Sequence, residues 1–142
     1  MAQCLVIDDS DVIRFVLSRI LGRLGHQAID TKDIAEAVEN CRAGSIDVVF
    51  VDWDMPGLVA LEFLKGVAQL PSEQRPEIVL CATENDPQQF ALAKAAGAGQ
   101  HILKPYDVTT IRAMLKHIGL HQPETPVDED ETGNSPSMAQ AG

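Results

Sequence analysis

The stretch Val48-Val49-Phe50-Val51-Asp52-Trp53-Asp54 decides the fold. Its first four residues are apolar without a break, and three of them are β-branched. A strand with water on one face would alternate apolar and polar side chains. A continuous apolar run instead suits a strand covered on both faces, as parallel sheets require. Asp52 falls where such a strand would leave the core.

Working outward, four more short apolar runs alternate with helical patterns. Cys4-Leu5-Val6-Ile7 runs into Asp8-Asp9, and a weaker run lies near Ala28-Ile29. Ile78-Val79-Leu80-Cys81-Ala82 and His101-Ile102-Leu103 complete the set. After the first run, Val12, Ile13, Val16, Leu17, Ile20, Leu21 and Leu24 recur at helical spacing, the mark of an amphipathic helix. Ser10 or Asp11 can cap its start and Gly25 can end it. Ile34, Ala37, Val38 and Cys41 predict a second helix, and Leu61, Leu64, Val67 and Ala68 a third. Asp86-Pro87 reads as cap and first residue of a fourth. Asp107 caps a fifth, with Ile111, Met114, Leu115 and Ile118 facing inward.

Strands alternating with helices at this pitch predict right-handed βαβ units. Five strands give an open, doubly wound α/β sheet with helices on both faces, because a closed barrel needs eight. In such sheets the ligand site lies beyond the carboxyl ends of the strands, at the switch in strand order.

Charge narrows the function classes. The chain of 142 residues holds 21 acids and 11 Lys plus Arg, a net of -10. Residues 122–142 contribute five acids and no Lys or Arg. Such a surface repels nucleic acid and anionic membrane, whose binding depends on Lys and Arg. The predicted chain therefore acts on neither. The absence of a long apolar span or secretory leader predicts a cytoplasmic protein. Cys4, Cys41 and Cys81 are far apart inside apolar segments, which fits buried thiols in a reducing compartment. Residues 1–121 read as one domain. Residues 122–142, acidic and Pro-containing, read as a disordered tail that cannot bury enough to offset its chain entropy.

Three strand ends carry residues that a packed core would not select: Asp8-Asp9, Asp52 and Lys104-Pro105. With strands one and three adjacent, the carboxylates would converge on one cleft. Two unit charges 4 Å apart repel by about 4 kcal/mol at an effective dielectric of 20, so the cluster calls for a cation. Hard oxygen ligands favour Mg²⁺ or Mn²⁺. Asp8, Asp9 and Asp52 are the candidate ligands, joined by the main-chain carbonyl of Asp54. Lys104 could meet a phosphoryl oxygen, and Asp52 could serve as nucleophile and form an acyl phosphate. Singly, each residue has a plainer reading as helix cap or loop charge. The joint pattern favours phosphoryl chemistry.

Val6-Ile7-Asp8-Asp9-Ser10, Val51-Asp52-Trp53-Asp54-Met55-Pro56, Gly97-Ala98 and Lys104-Pro105 resemble the motifs of the receiver domain of two-component response regulators, in order, across about residues 3–120. The resemblance implies strand order 2-1-3-4-5, with Asp52 as phosphoacceptor. It also implies Mg²⁺ held by Asp9, Asp52 and the Asp54 carbonyl with help from Asp8. Lys104 would contact the phosphoryl group, and the Lys104-Pro105 bond would commonly be cis. The implied role is a stand-alone response regulator, without turnover as an enzyme beyond its own phosphorylation and dephosphorylation. Its partners would be a histidine kinase or histidine phosphotransfer protein and a downstream protein target.

The chain departs from that pattern at three places. Ala82 stands where the family usually carries Thr or Ser, with Thr83 one place later. His101 stands where Tyr or Phe is frequent, and is expected as a half-buried ring. Leu58-Val59-Ala60 replaces the frequent Met-Asp-Gly. In the family the hydroxyl and the aromatic ring relay phosphorylation, so Ala82, Thr83 and His101 are the switch positions in question. A phosphorylation-independent scaffold is therefore an alternative. Val48-Val49-Phe50-Val51-Asp52-Trp53-Asp54 also fits the strand-DxD motif of haloacid-dehalogenase-type phosphatases, although that motif normally lies on the first strand. A flavin module is disfavoured because Asp8-Asp9-Ser10-Asp11 would repel a phosphate.

Overall fold

The structure is a computed structural model describing residues 1–120. The expected tail, 122–142, lies outside the described residues. Five strands, β1 (Gln3–Ile7), β2 (Gln27–Thr31), β3 (Val48–Asp52), β4 (Glu77–Ala82) and β5 (Gln100–Leu103), pair in parallel in the order 2-1-3-4-5. Five helices connect and follow them: α1 (Asp11–Arg23), α2 (Ile34–Arg42), α3 (Val59–Ala68), α4 (Pro87–Ala95) and α5 (Val108–His117).

The apolar runs work as two-faced strands. Cys4, Val6, Val48, Phe50, Val79 and Cys81 pack under α1 and α5, against Leu17, Leu21, Ile111 and Leu115. Their chain neighbours Leu5, Ile7, Val49, Val51, Ile78 and Leu80 pack on the other face with Phe63, Leu64, Val67 and Ala93. β1, β3 and β4 thus each feed two separate cores, so no polar position interrupts β3 before Asp52.

Helix starts follow the local chemistry. Ser10 accepts from the Ile13 N–H, and Asp86 and Asp107 cap α4 and α5. Gly25 ends the first helical segment with φ 89°, a conformation open to glycine at little cost. The Lys104-Pro105 bond is cis, as the resemblance implied. The weak run at Ala28-Ile29 forms a full five-residue edge strand. Its low hydrophobicity reflects its place at the rim, where Ile29 is exposed.

Two packing expectations change. Val12 and Val16 belong to the apolar stripe of α1, yet both are exposed, as is Phe15. The stripe is wider than the sheet can cover. In α3 the fully buried Phe63 joins the expected Leu64 and Val67, whereas Ala68 faces solvent. Among the described residues no helix is long and apolar enough to cross a membrane.

Candidate functional site

The strand order sets β1 beside β3, and the segments leaving their carboxyl ends bring the acids together. Asp8, Asp9 and Asp52 each offer a carboxylate oxygen, and these oxygens all lie within 4.8 Å of one another. Asp8 is 2% and Asp52 3% exposed, while Asp9 faces solvent at the mouth. This all-oxygen donor set suits a small, hard divalent cation.

Lys104 enters from the end of β5. Its Nζ donates to Asp52 Oδ1 at 2.8 Å and to Asp8 Oδ2 at 3.2 Å. One ammonium thus pairs with two of the three carboxylates, leaving the cleft with an excess of negative charge. Burial pushes the Asp52 carboxyl up, with Asp8 adding to the effect, and the hydrogen bonds from Lys104 and the Asp54 N–H offset it only in part. For Lys104, burial alone would lower the pKa. Asp52 and Asp8 outweigh that and hold the ammonium above the usual lysine value.

The oxygens of Asp52 are unequally engaged. Oδ1 accepts from Lys104 and from the Asp54 N–H at 2.9 Å. Oδ2 has no hydrogen bond among the described residues, and is the oxygen left to bind a cation or attack. Asp8 Oδ1 accepts from the Ser10 N–H at 2.9 Å, which holds the β1–α1 turn over the cleft.

Sequence reasoning missed Arg14. Its guanidinium donates to the Asp8 carbonyl at 2.7 Å and to Asp30 at 2.9 Å, and also pairs with Asp11. It braces the backbone that carries Asp8. In the sequence Asp11, three residues earlier, marks only a surface pair; Asp30 arrives from a different strand.

The remaining positions fall around the rim. The Asp54 carboxylate is engaged by Thr83, its Oδ2 accepting from Thr83 N at 3.0 Å and Thr83 Oγ1 at 3.1 Å. It therefore does not stand as the acid–base partner that a phosphatase DxD motif requires. Ala82 is buried at the end of β4, and Thr83 is exposed. His101 is exposed rather than half-buried, and it lies on β5, an edge strand of the sheet. Its ring stacks on Phe90 of α4, with centroids 3.9 Å apart and planes at 19°. Beneath the cleft, burial pushes the Cys81 thiol up to about 12, so it stays neutral and structural. Cys4 and Cys41 are buried free thiols as well.

Comparisons with known proteins agree with this geometry. The response regulator receiver domain family matches residues 4–116. Chemotaxis protein CheY-3 of Vibrio cholerae is 26% identical over 115 residues, covering 80% of this chain and 88% of the relative. A CheY homologue of Campylobacter jejuni is 28% identical over 121 residues, covering 80% and 89%. Among solved structures, CheY4 of Vibrio cholerae superposes with a TM-score of 0.75 at 30% identity, covering 83% of this chain and 98% of its own. The receiver domain of a sensor histidine kinase from Pseudomonas aeruginosa shares the fold, with a TM-score of 0.72 at 18% identity over 82% and 95% of the chains. That protein is described with a magnesium ion coordinated in its active-site cleft. With the expected fold and acidic cleft both in place, the chain belongs to the response regulator receiver domain family, and its CheY-like form serves phosphorelay signal transduction.

Proposed function

We propose that Asp52 is the phosphoacceptor of this receiver and that the surrounding residues make its phosphorylation self-catalysed. The observation that carries the reading is the Lys104 ammonium 2.8 Å from Asp52, inside a cleft that Asp8 and Asp9 complete. Asp52 Oδ2 attacks the phosphorus of a phosphohistidine. The P–O bond forms as the P–N bond breaks, the electron pair leaves on the imidazole nitrogen, and that nitrogen takes a proton from solvent. Lys104 offsets charge on the phosphoryl oxygens, while the Asp54 N–H and Lys104 hold the other carboxylate oxygen in place.

Asp8, Asp9 and Asp52, with the main-chain carbonyl of Asp54, would hold Mg²⁺, or Mn²⁺ in its place. Bound there, the ion supplies charge neutralisation for the phosphoryl group. The phosphodonor protein is a histidine kinase or histidine phosphotransfer protein, and output is through contact with a protein target in the cytoplasm. Val12, Phe15 and Val16, exposed at 68%, 61% and 38%, form an apolar strip on α1 just beyond Asp9. Exposed apolar patches of this kind mark contact surfaces, and this one lies where a donor helix would deliver its phosphohistidine.

A scaffold that never takes phosphate would have no use for the full acid and lysine set. Trp53, half-buried beside Asp52, reports on the site. Mg²⁺ should change its fluorescence, and acetyl phosphate should change it again. The Asp52→Asn variant should lose the second response. No response to either reagent in the wild type would overturn the assignment.

A further inference from the structure

We propose that Asp54 is a positioning residue that ties the phosphoacceptor loop to the start of α4, doing mechanically what Ala82 lacks the hydroxyl to do. This rests on the reading of Asp52 as phosphoacceptor.

Two consecutive residues after Asp52 grip the segment that follows β4. Asp54 Oδ2 takes both donors of Thr83, its N–H at 3.0 Å and its hydroxyl at 3.1 Å. Trp53 Nε1 donates to Gln89 Oε1 at 3.0 Å, in the first turn of α4. The Gln89 N–H is itself held by the capping carboxylate of Asp86 at 3.3 Å. On the other side, the Asp54 N–H is bound to Asp52 Oδ1. Hydrogen bonds therefore run from the phosphoacceptor to Thr83, four residues before α4, and a separate bond from Trp53 reaches the first turn of that helix. The Thr83 hydroxyl is committed to Asp54 and does not stand in for the missing hydroxyl at Ala82.

The helix beyond these bonds is loosely seated. Ala93 is the only buried residue of α4, and its first turns contribute none. Helices in proteins owe their stability mainly to a buried apolar face, so polar contacts at its start weigh more here than on α1 or α3. Phosphorylation acts on these bonds in two ways. The oxygen held by the Asp54 N–H ceases to belong to a free carboxylate, which weakens a charge-assisted bond. The phosphoryl group adds negative charge close to the Asp54 carboxylate. Both effects push the loop off Thr83 and Gln89, and the first turn of α4 loosens.

Hydrogen exchange over residues 83–91 tests this, with phosphate on Asp52 measured by mass in the same samples. Without a phosphodonor, Thr83→Val should exchange about fivefold faster than wild type across this segment, as losing one hydrogen bond of ordinary net strength implies. Thr83→Ser should match wild type. With Mg²⁺ and acetyl phosphate, wild type should rise at least to the donor-free level of Thr83→Val, while that variant, which keeps the Thr83 N–H and Trp53–Gln89 bonds, shows a smaller rise at equal phosphate content. Thr83→Val matching wild type without donor, or keeping the full phosphorylation-dependent rise, would overturn the proposal. A wild type that takes no phosphate would instead overturn the phosphoacceptor reading. The donor-free comparison would still decide whether the Asp54–Thr83 contact orders α4.

Discussion

Asp52 is held between opposing influences, and their balance gives a signed prediction. Burial, reinforced by Asp8, raises its pKa despite Lys104 and the Asp54 N–H. The folded protein therefore binds this proton more tightly than the unfolded chain, whose Asp titrates near about 3.9. Stability must fall as pH rises from that value through the raised folded pKa. In metal-free buffer, Asp52→Asn should be more stable than wild type at neutral pH, with the gap narrowing towards pH 4. Urea denaturation across that range checks this, and a wild type more stable than the variant at neutral pH would contradict it. Lys104 runs the other way. Its raised pKa contributes stability below the unfolded lysine value, lost as pH rises through the folded one. Lys104→Met leaves the acids without their ammonium and should cost about 3 kcal/mol, partly recovered by Mg²⁺. The acids and Lys104 were legible in the sequence because each follows an apolar run. Arg14 and the Thr83–Asp54 contact were not, since each depends on residues that the fold brings from separate elements.

Between elements, packing separates what looked alike in periodicity. α1 carries more apolar residues than its core face needs, and the surplus Val12, Phe15 and Val16 lie in water with Arg19 over the Phe15 ring at 5.6 Å. If this strip receives the donor protein, Phe15→Ala should slow phosphotransfer from a phosphohistidine protein by about tenfold, the scale of one good contact residue. Phosphorylation by acetyl phosphate should be unchanged, and stopped-flow comparison of the two donors separates these cases. Equal rates with the protein donor would remove α1 from the docking surface. α2 and α3 show the opposite condition, a tight contact. A Cβ on Gly66 would lie 2.9 Å from Val38 Cγ2, and a β-branched neighbour has little freedom to turn aside. Gly66→Ala should therefore destabilise by about 1 kcal/mol, despite the better helix propensity of alanine. Thermal unfolding reads the sign. Helical spacing predicted both helices. It could not reveal how much of each face is covered, because that depends on which partner the topology supplies.

For the molecule as a whole, the unbroken apolar runs already required a parallel sheet covered on both sides, and the two cores bear this out. The strand order came from the motif resemblance. Placing β1 beside β3 is what turns Asp8, Asp9 and Asp52 from scattered loop acids into one cleft. The net charge of -10 thereby gains internal structure. Part of it belongs to residues 122–142, and part to a site suited to a cation. If residues 122–142 are only an extension, removing them should shift the unfolding midpoint by less than about 2 °C.

The central claim is that Asp52 takes the phosphoryl group. Its most direct test is to expose the chain to Mg²⁺ and acetyl phosphate, trap acyl phosphate by borohydride reduction, and map the modified peptide by mass spectrometry. The account predicts reduction at Asp52 alone, absent when Mg²⁺ is chelated and absent in Asp52→Asn. Modification at another carboxylate, or none in the wild type, would contradict it.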